Sequence, residues 1–127
     1  MNAMQKMFRW IPSLVVMLVI FTFSAQSVQL LPDFGWADTI VKKGGHMIEY
    51  ALLALSFWYA LDWKGDRHWL AWLLAILYAI TDEFHQSFVP GRHPSVWDVV
   101  IFDNLGALIS LWLAGRFVKQ KRPDENT

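Results

Sequence analysis

Polar residues along this chain do not alternate with apolar ones as they do on the surface helices of a soluble domain. They gather in short bands, and the apolar runs between the bands reach membrane-crossing length. The first run, Ile11 to Phe23, is broken only by Ser13 and Thr22 and predicts a helix over 8–25. Basic residues ahead of it (Lys6, Arg9) and the small Ser24-Ala25 pair after it also fit a cleaved signal peptide. The helix is preferred, because the rest of the chain is itself membrane-like and a first helix gives an even number of spans. Ser24 to Lys43 is mixed, with Pro32 and interfacial Phe34 and Trp36, and reads as a surface loop with at most one helical turn. Further spans are predicted over 44–61, 69–86 and 98–117. Between them lie a charged turn around Gly65 and a Val89-Pro90-Gly91 turn, and a charged, frayed tail is expected from Arg116 onward. The expected fold is an all-α membrane protein with four transmembrane helices in a single domain over 1–127.

Lysine and arginine set the expected orientation. Eight of them (Lys6, Arg9, Lys64, Arg67, Arg116, Lys119, Lys121, Arg122) fall on one side of the four spans and three (Lys42, Lys43, Arg92) on the other. The excess places both termini in the cytoplasm, in a plasma or inner membrane. Polar residues at the outer ends of spans two, three and four then meet in one leaflet, where they predict a shallow polar pocket open to water. Lys43, His46, Glu49 and Tyr50 come from the second span and Asp82, Glu83, His85 and Gln86 from the third. Arg92 and Ser95 come from the following loop, and Asp98, Asp103 and Asn104 from the fourth span. Helical spacing puts His46, Glu49 and Tyr50 on one face. It also groups Asp82 with His85 and Gln86 and turns Glu83 about a quarter turn away. Gly106 and Ser110 form a small-xxx-small pair that admits a neighbouring helix.

Composition trims the possibilities. A formal net charge of zero argues against nucleic acid as a partner. With no cysteine, disulfides, thiolate nucleophiles and Cys-ligated zinc are excluded. His46, Glu49, Asp82 and His85 are ligand types suited to a divalent metal, but their spacing matches no metal motif, so no cofactor is expected. A carboxylate beside a histidine is equally suited to acid–base chemistry, with Glu83 and His46 as the candidate catalytic pair.

The pattern Lys43-x2-His46-x3-Tyr50-x-Leu52, the run Asp82 to Arg92, then Ser95-x2-Asp98 and Asp103-x2-Gly106 resembles the VanZ-like membrane proteins, over roughly 38–113. The resemblance implies a polytopic bacterial envelope protein, in a family whose namesake is associated with teicoplanin resistance. It places His46, Tyr50, Glu83, Gln86, Arg92, Ser95, Asp98 and Asp103 in the family's polar motif, and favours Glu83 over Asp82 as its acid. The five-residue step from Asp98 to Asp103, where four are expected, leaves Asp103 and Asn104 to share one role. Three functions follow as expectations. The first is a binder of a polar or anionic ligand: a lipid headgroup, a cell-wall precursor or a glycopeptide. The second is a membrane-embedded acid–base or metal-dependent enzyme acting on a lipid-linked substrate. The third is a structural member of a larger complex, docking through Gly106 and Ser110.

Overall fold

A computed structural model describes residues 2–25, 36–90 and 96–121, without the side chains of 36–42, 98 and 119–121. The expected turn at Gly91, the motif residues Arg92 and Ser95, and the chain beyond 121 lie outside the described residues, as does most of the segment between the first two spans. Every regular element among the described residues is helical, with no strand. A short α1 (Ala3–Phe8) leads into α2 (Ile11–Ser24), followed by α3 (Trp36–Ala60), α4 (His68–Gln86) and α5 (Asn104–Lys121). A 3-10 turn, Gly65–Arg67, precedes α4, and a π-helical turn, Asp98–Asp103, precedes α5.

The boundaries differ from expectation in three places, each for a physical reason. The predicted first helix is interrupted at Arg9-Trp10. Pro12, in the first turn of α2, has no amide to donate backward, so the helix restarts there. α1 is closed by a capping box, Asn2 Oδ1 accepting from the Gln5 amide at 2.8 Å and Gln5 Oε1 from the Asn2 amide at 3.1 Å. α3 begins at Trp36, eight residues before the apolar run, and its 25 residues reach about 37 Å. Hydropathy marks where a helix becomes apolar rather than where it begins, and Asp38, Lys42 and Lys43 are all compatible with a helix. For the same reason α5 runs on through Arg116 to Lys121, where a frayed tail was expected.

α3 is the central helix, packed against α2, α4 and α5. It supplies the large core residues Tyr50, Leu53, Phe57 and Trp58. Apart from Ile20, Val99 and Leu111, its neighbours present small or polar ones: Ser13 and Ser24 from α2, Ala71, Ala75 and Ala79 from α4, and Gly106, Ala107 and Ser110 from α5. The closest approach is at Gly106, where an added Cβ would lie 2.3 Å from the Met47 carbonyl oxygen. α3 of the same chain thus packs against the small face of α5 at Gly106. Large apolar side chains point the other way. Leu14, Leu18 and Phe23 on α2, Ile80 and Phe84 on α4, and Leu108, Trp112 and Phe117 on α5 are all exposed.

The end of the bundle away from the polar cluster is closed by a Schellman motif. The Trp63 amide donates to the Trp58 carbonyl and the Asp62 amide to that of Tyr59, both at 3.0 Å. Asp62 takes the left-handed position usually given to glycine, with φ of 64°. Arg9 holds it there: its Nη2 lies 3.5 Å from Asp62 and its Nε donates to the Tyr59 carbonyl at 3.0 Å. The Trp58 and Trp63 rings meet edge to face at 5.0 Å, the apolar contact that accompanies this motif. This end fixes where α1, α3 and α4 meet, and so sets the heights at which the polar residues meet at the other.

Candidate functional site

The polar residues divide into a closed network and an open cleft. In the network, Asp82 is buried where α2, α3 and α4 converge. Its Oδ1 accepts a short hydrogen bond from the Ser24 hydroxyl and its Oδ2 one from the Tyr50 hydroxyl at 3.2 Å. Gln86 Nε2 donates to Ser24 Oγ at 3.1 Å, so the serine donates a hydrogen bond to the carboxylate while accepting one from the amide. One turn up α3, His46 stacks parallel to Tyr50, and its Nδ1 lies 3.3 Å from Oδ1 of Asp103, which is 1% exposed. Side chains from α2, α3, α4 and the π turn are thereby joined through two buried carboxylates. Two hydroxyl donors give both oxygens of the buried Asp82 carboxyl a partner, as a buried polar group requires.

Local sequence explains the convergence. Ser13, Ile20 and Ser24 are the buried residues of α2, at a helical spacing that makes one face. Ala71, Ala75, Ala79, Asp82 and Gln86 do the same for α4. Because that face is small, the helices close over Asp82 and Gln86, leaving them 5% and 6% exposed. Tyr50, Asp82, Gln86 and Asp103 are buried inside the bundle.

The cleft lies on the other side of α4. It encloses about 420 Å³ between Trp72, Ile76, Ile80 and Glu83 of α4 and Val96, Val99, Val100 and Asn104 of the segment entering α5. Trp72 Nε1 donates to Asn104 Oδ1 at 2.7 Å, leaving the Asn104 amide nitrogen as the donor end of that side chain. Glu83 therefore faces the cleft while Asp82 faces the core, as their neighbouring positions on one helix require. Asp103 and Asn104 separate in the same way, toward α3 and α4. The π turn spans Asp98 to Asp103, and its i→i+5 bonding absorbs the extra residue in that step.

The remaining predicted residues are placed as follows. Lys43 Nζ sits 4.8 Å over the Phe102 ring. Glu49 is half-buried one turn after His46. His85 stacks on Phe21 at 4.5 Å, away from His46. Among the described residues no three His, Asp or Glu side chains are placed to hold a metal ion together.

Ser24, Phe21 and Trp72 escaped the sequence reading. Ser24 carried a usable signal, its spacing from Ser13 and Ile20 on an otherwise apolar helix. Replacing Ser24 with alanine removes one donor to Asp82 and the acceptor for Gln86. The expected loss is about 1–3 kcal/mol of stability, read from thermal unfolding in detergent. A melting temperature equal to wild type would show that the network does not bear on the fold.

The same elements that carry the network carry a family signature. The VanZ/LLP1 model matches residues 2–118. The chain belongs to the VanZ/LLP1 family. No curated protein and no solved structure matched it. The VanZ/LLP1 match takes in α2 as well as α3, α4 and α5, so Ser24 falls inside the family region together with Asp82.

Proposed function

We propose that this VanZ/LLP1 protein is a four-span membrane protein of the bacterial envelope, with both termini in the cytoplasm. It binds a polar or anionic ligand at the outer end of the bundle, beside Glu83 and the loop that carries Arg92. The membrane reading is supported by the inside-out distribution of residues, with small and polar side chains within and large apolar ones without. Ala3–Ser24 and Val99–Val118 are long and apolar enough to cross a bilayer, and only 17% and 28% of those windows is buried, unlike the core helices of a soluble domain. The tie from Ser24 to Asp82 supports α2 as a working part of the bundle rather than a leader peptide.

Glu83 on the wall of a mostly apolar cleft, which Asn104 also lines, is the observation that carries ligand binding. An ionisable residue within a membrane-spanning segment is a functional candidate by default. Arg92 would grip a phosphate or carboxylate in a bidentate fork, with Lys43 adding charge from α3. The resemblance to VanZ-like proteins adds a contribution to glycopeptide resistance to this reading.

Reporter fusions test the topology. A reporter after Gly65 or at the carboxyl end should be active in the cytoplasm, and one after Pro90 in the periplasm. Periplasmic activity at the carboxyl end would overturn the arrangement. For the site, alanine at Glu83 or Arg92 should abolish any change in teicoplanin susceptibility that expression confers, with the melting temperature unchanged. Variants that lower only stability and keep the phenotype would remove the binding reading.

A further inference from the structure

We propose that Gly44-Gly45 is a hinge in α3, about which the outer arm of that helix tilts and lifts Lys43 off the π turn. This deepens the function proposed above and rests on it for what the released lysine meets. Three observations lead to it.

The first is the glycine pair itself. Gly44 and Gly45 are the ninth and tenth of the 25 residues of α3, inside the helix rather than at its end. Glycine is a weak helix former there, because it has the most backbone freedom to lose. At Gly106 the close approach of α3 explains the glycine. A Cβ added at Gly44 or Gly45, by contrast, would meet no described neighbour within 4 Å. Alanine would fit at both, so packing gives no reason for two glycines in a row. What the pair supplies is a soft point, and helices bend at pairs of small residues.

The second is the contrast between the two sides of the pair. On the inner side the Met47 carbonyl lies against Gly106, His46 Nδ1 is 3.3 Å from Asp103, and Tyr50 is buried. That part of α3 cannot tilt without parting from α5. On the outer side, the residue next to the hinge is Lys43, whose Nζ sits 4.8 Å over the Phe102 ring. Such a contact is weak and is lost beyond about 6 Å. The arm from Trp36 to Lys43 is eight residues, or about 12 Å, so a bend of about 20° carries its far end about 4 Å.

The third is what the arm rests on. Phe102 belongs to the π turn, a wide form of helix that occurs mostly as single turns, frequently at functional sites. The same turn supplies Val99 and Val100 to the cleft that Glu83 also lines. Lys43 thus connects the hinge to the wall of the candidate site. With the arm docked, its ammonium faces the ring. With the arm tilted, the ammonium is a donor for the anionic ligand, and a ligand that binds the tilted form better shifts the population toward it.

Hydrogen exchange of the full-length protein in nanodiscs, read by mass spectrometry, tests the hinge. Amides 44–48, whose helical hydrogen bonds span the pair, should exchange at least roughly tenfold faster than amides 52–58 of the same helix. Gly44→Ala combined with Gly45→Ala should slow the first group by roughly tenfold or more, about fivefold for each glycine removed, and should melt at or above wild type. Phe102→Ala undocks Lys43 and should speed the same amides by roughly twofold to fivefold. Gly115→Ala on α5 should leave them unchanged. Even exchange along α3, no slowing in the double variant, or no response to Phe102→Ala would each overturn the inference. So would a double variant that melts below wild type, because the glycines would then be making room for a neighbour. Such a result leaves the proposed function in place, since that is judged by the fusions and the Glu83→Ala phenotype. Failure of those two tests removes the ligand that the released lysine meets, and the exchange pattern still decides whether α3 bends.

Discussion

Asp82→Leu is expected to be among the most damaging single substitutions in the protein. It leaves the Ser24 and Tyr50 hydroxyls facing an apolar side chain with no water to replace the carboxylate. Each orphaned buried donor costs about 1–3 kcal/mol, so the total is roughly 2–6 kcal/mol against a typical stability of ~5–15. Thermal unfolding in one detergent should show a drop of roughly 10 °C or more. Asp82→Asn keeps one carbonyl acceptor and should lie between the two. Adding Ser24→Ala to Asp82→Leu removes one orphaned hydroxyl but also the acceptor of Gln86, so the double variant should lose less than the sum of the two single changes. If Asp82→Leu melts with wild type, the buried network contributes nothing to holding the four helices together.

Gly106→Ala has the second large expectation, and it concerns shape rather than polarity. The new methyl would sit 2.3 Å from the carbonyl oxygen of Met47, a backbone atom that cannot swing aside. α3 and α5 share the most extensive interface in the bundle, and they would have to part along it. The expected cost is at least ~1–3 kcal/mol, with the His46–Asp103 contact stretched as a consequence. Gly115→Ala on the same helix is the control. Its nearest side-chain atom, on the His68 ring, is 3.6 Å away, an ordinary contact, so that variant should melt close to wild type. Equal stability of the two variants would show that α3 and α5 do not need the close approach at Gly106.

Much of this architecture was legible in the order of residues, and the failures share a cause. Helical phase alone separated Asp82 and Gln86 from Glu83, and the structure places the first two in the core and the third in the cleft. Phase depends only on the geometry of one helix, so it needs no neighbour. Ser24 was opaque because a serine in an apolar helix can satisfy itself on its own backbone, as Ser13 does on the Trp10 carbonyl. Its role appears only when α4 brings Asp82 alongside. The split between Asp103 and Asn104 was hidden because it depends on the π turn, whose wider bonding no propensity scale reports. The burial of Asp82 and Gln86 was hidden because polar residues at helix ends usually meet water, whereas here the alanines at 71, 75 and 79 on the same face let the helices pack closely.

The Asp82 network also has a consequence for the order in which the protein is made. A chain emerges amino end first. Ser24 on α2 and Tyr50 on α3 are synthesised before Asp82 on α4, and His46 before Asp103. Each carboxylate therefore follows the groups that will face it, and α4 joins a pair of helices already carrying both of its donors. A carboxylate entering lipid alone is among the most costly events in membrane insertion. On the proposed four-span reading, a permuted gene that translated α4 ahead of α2 would encode the same contacts, yet it would deliver the acid to the membrane before its partners existed.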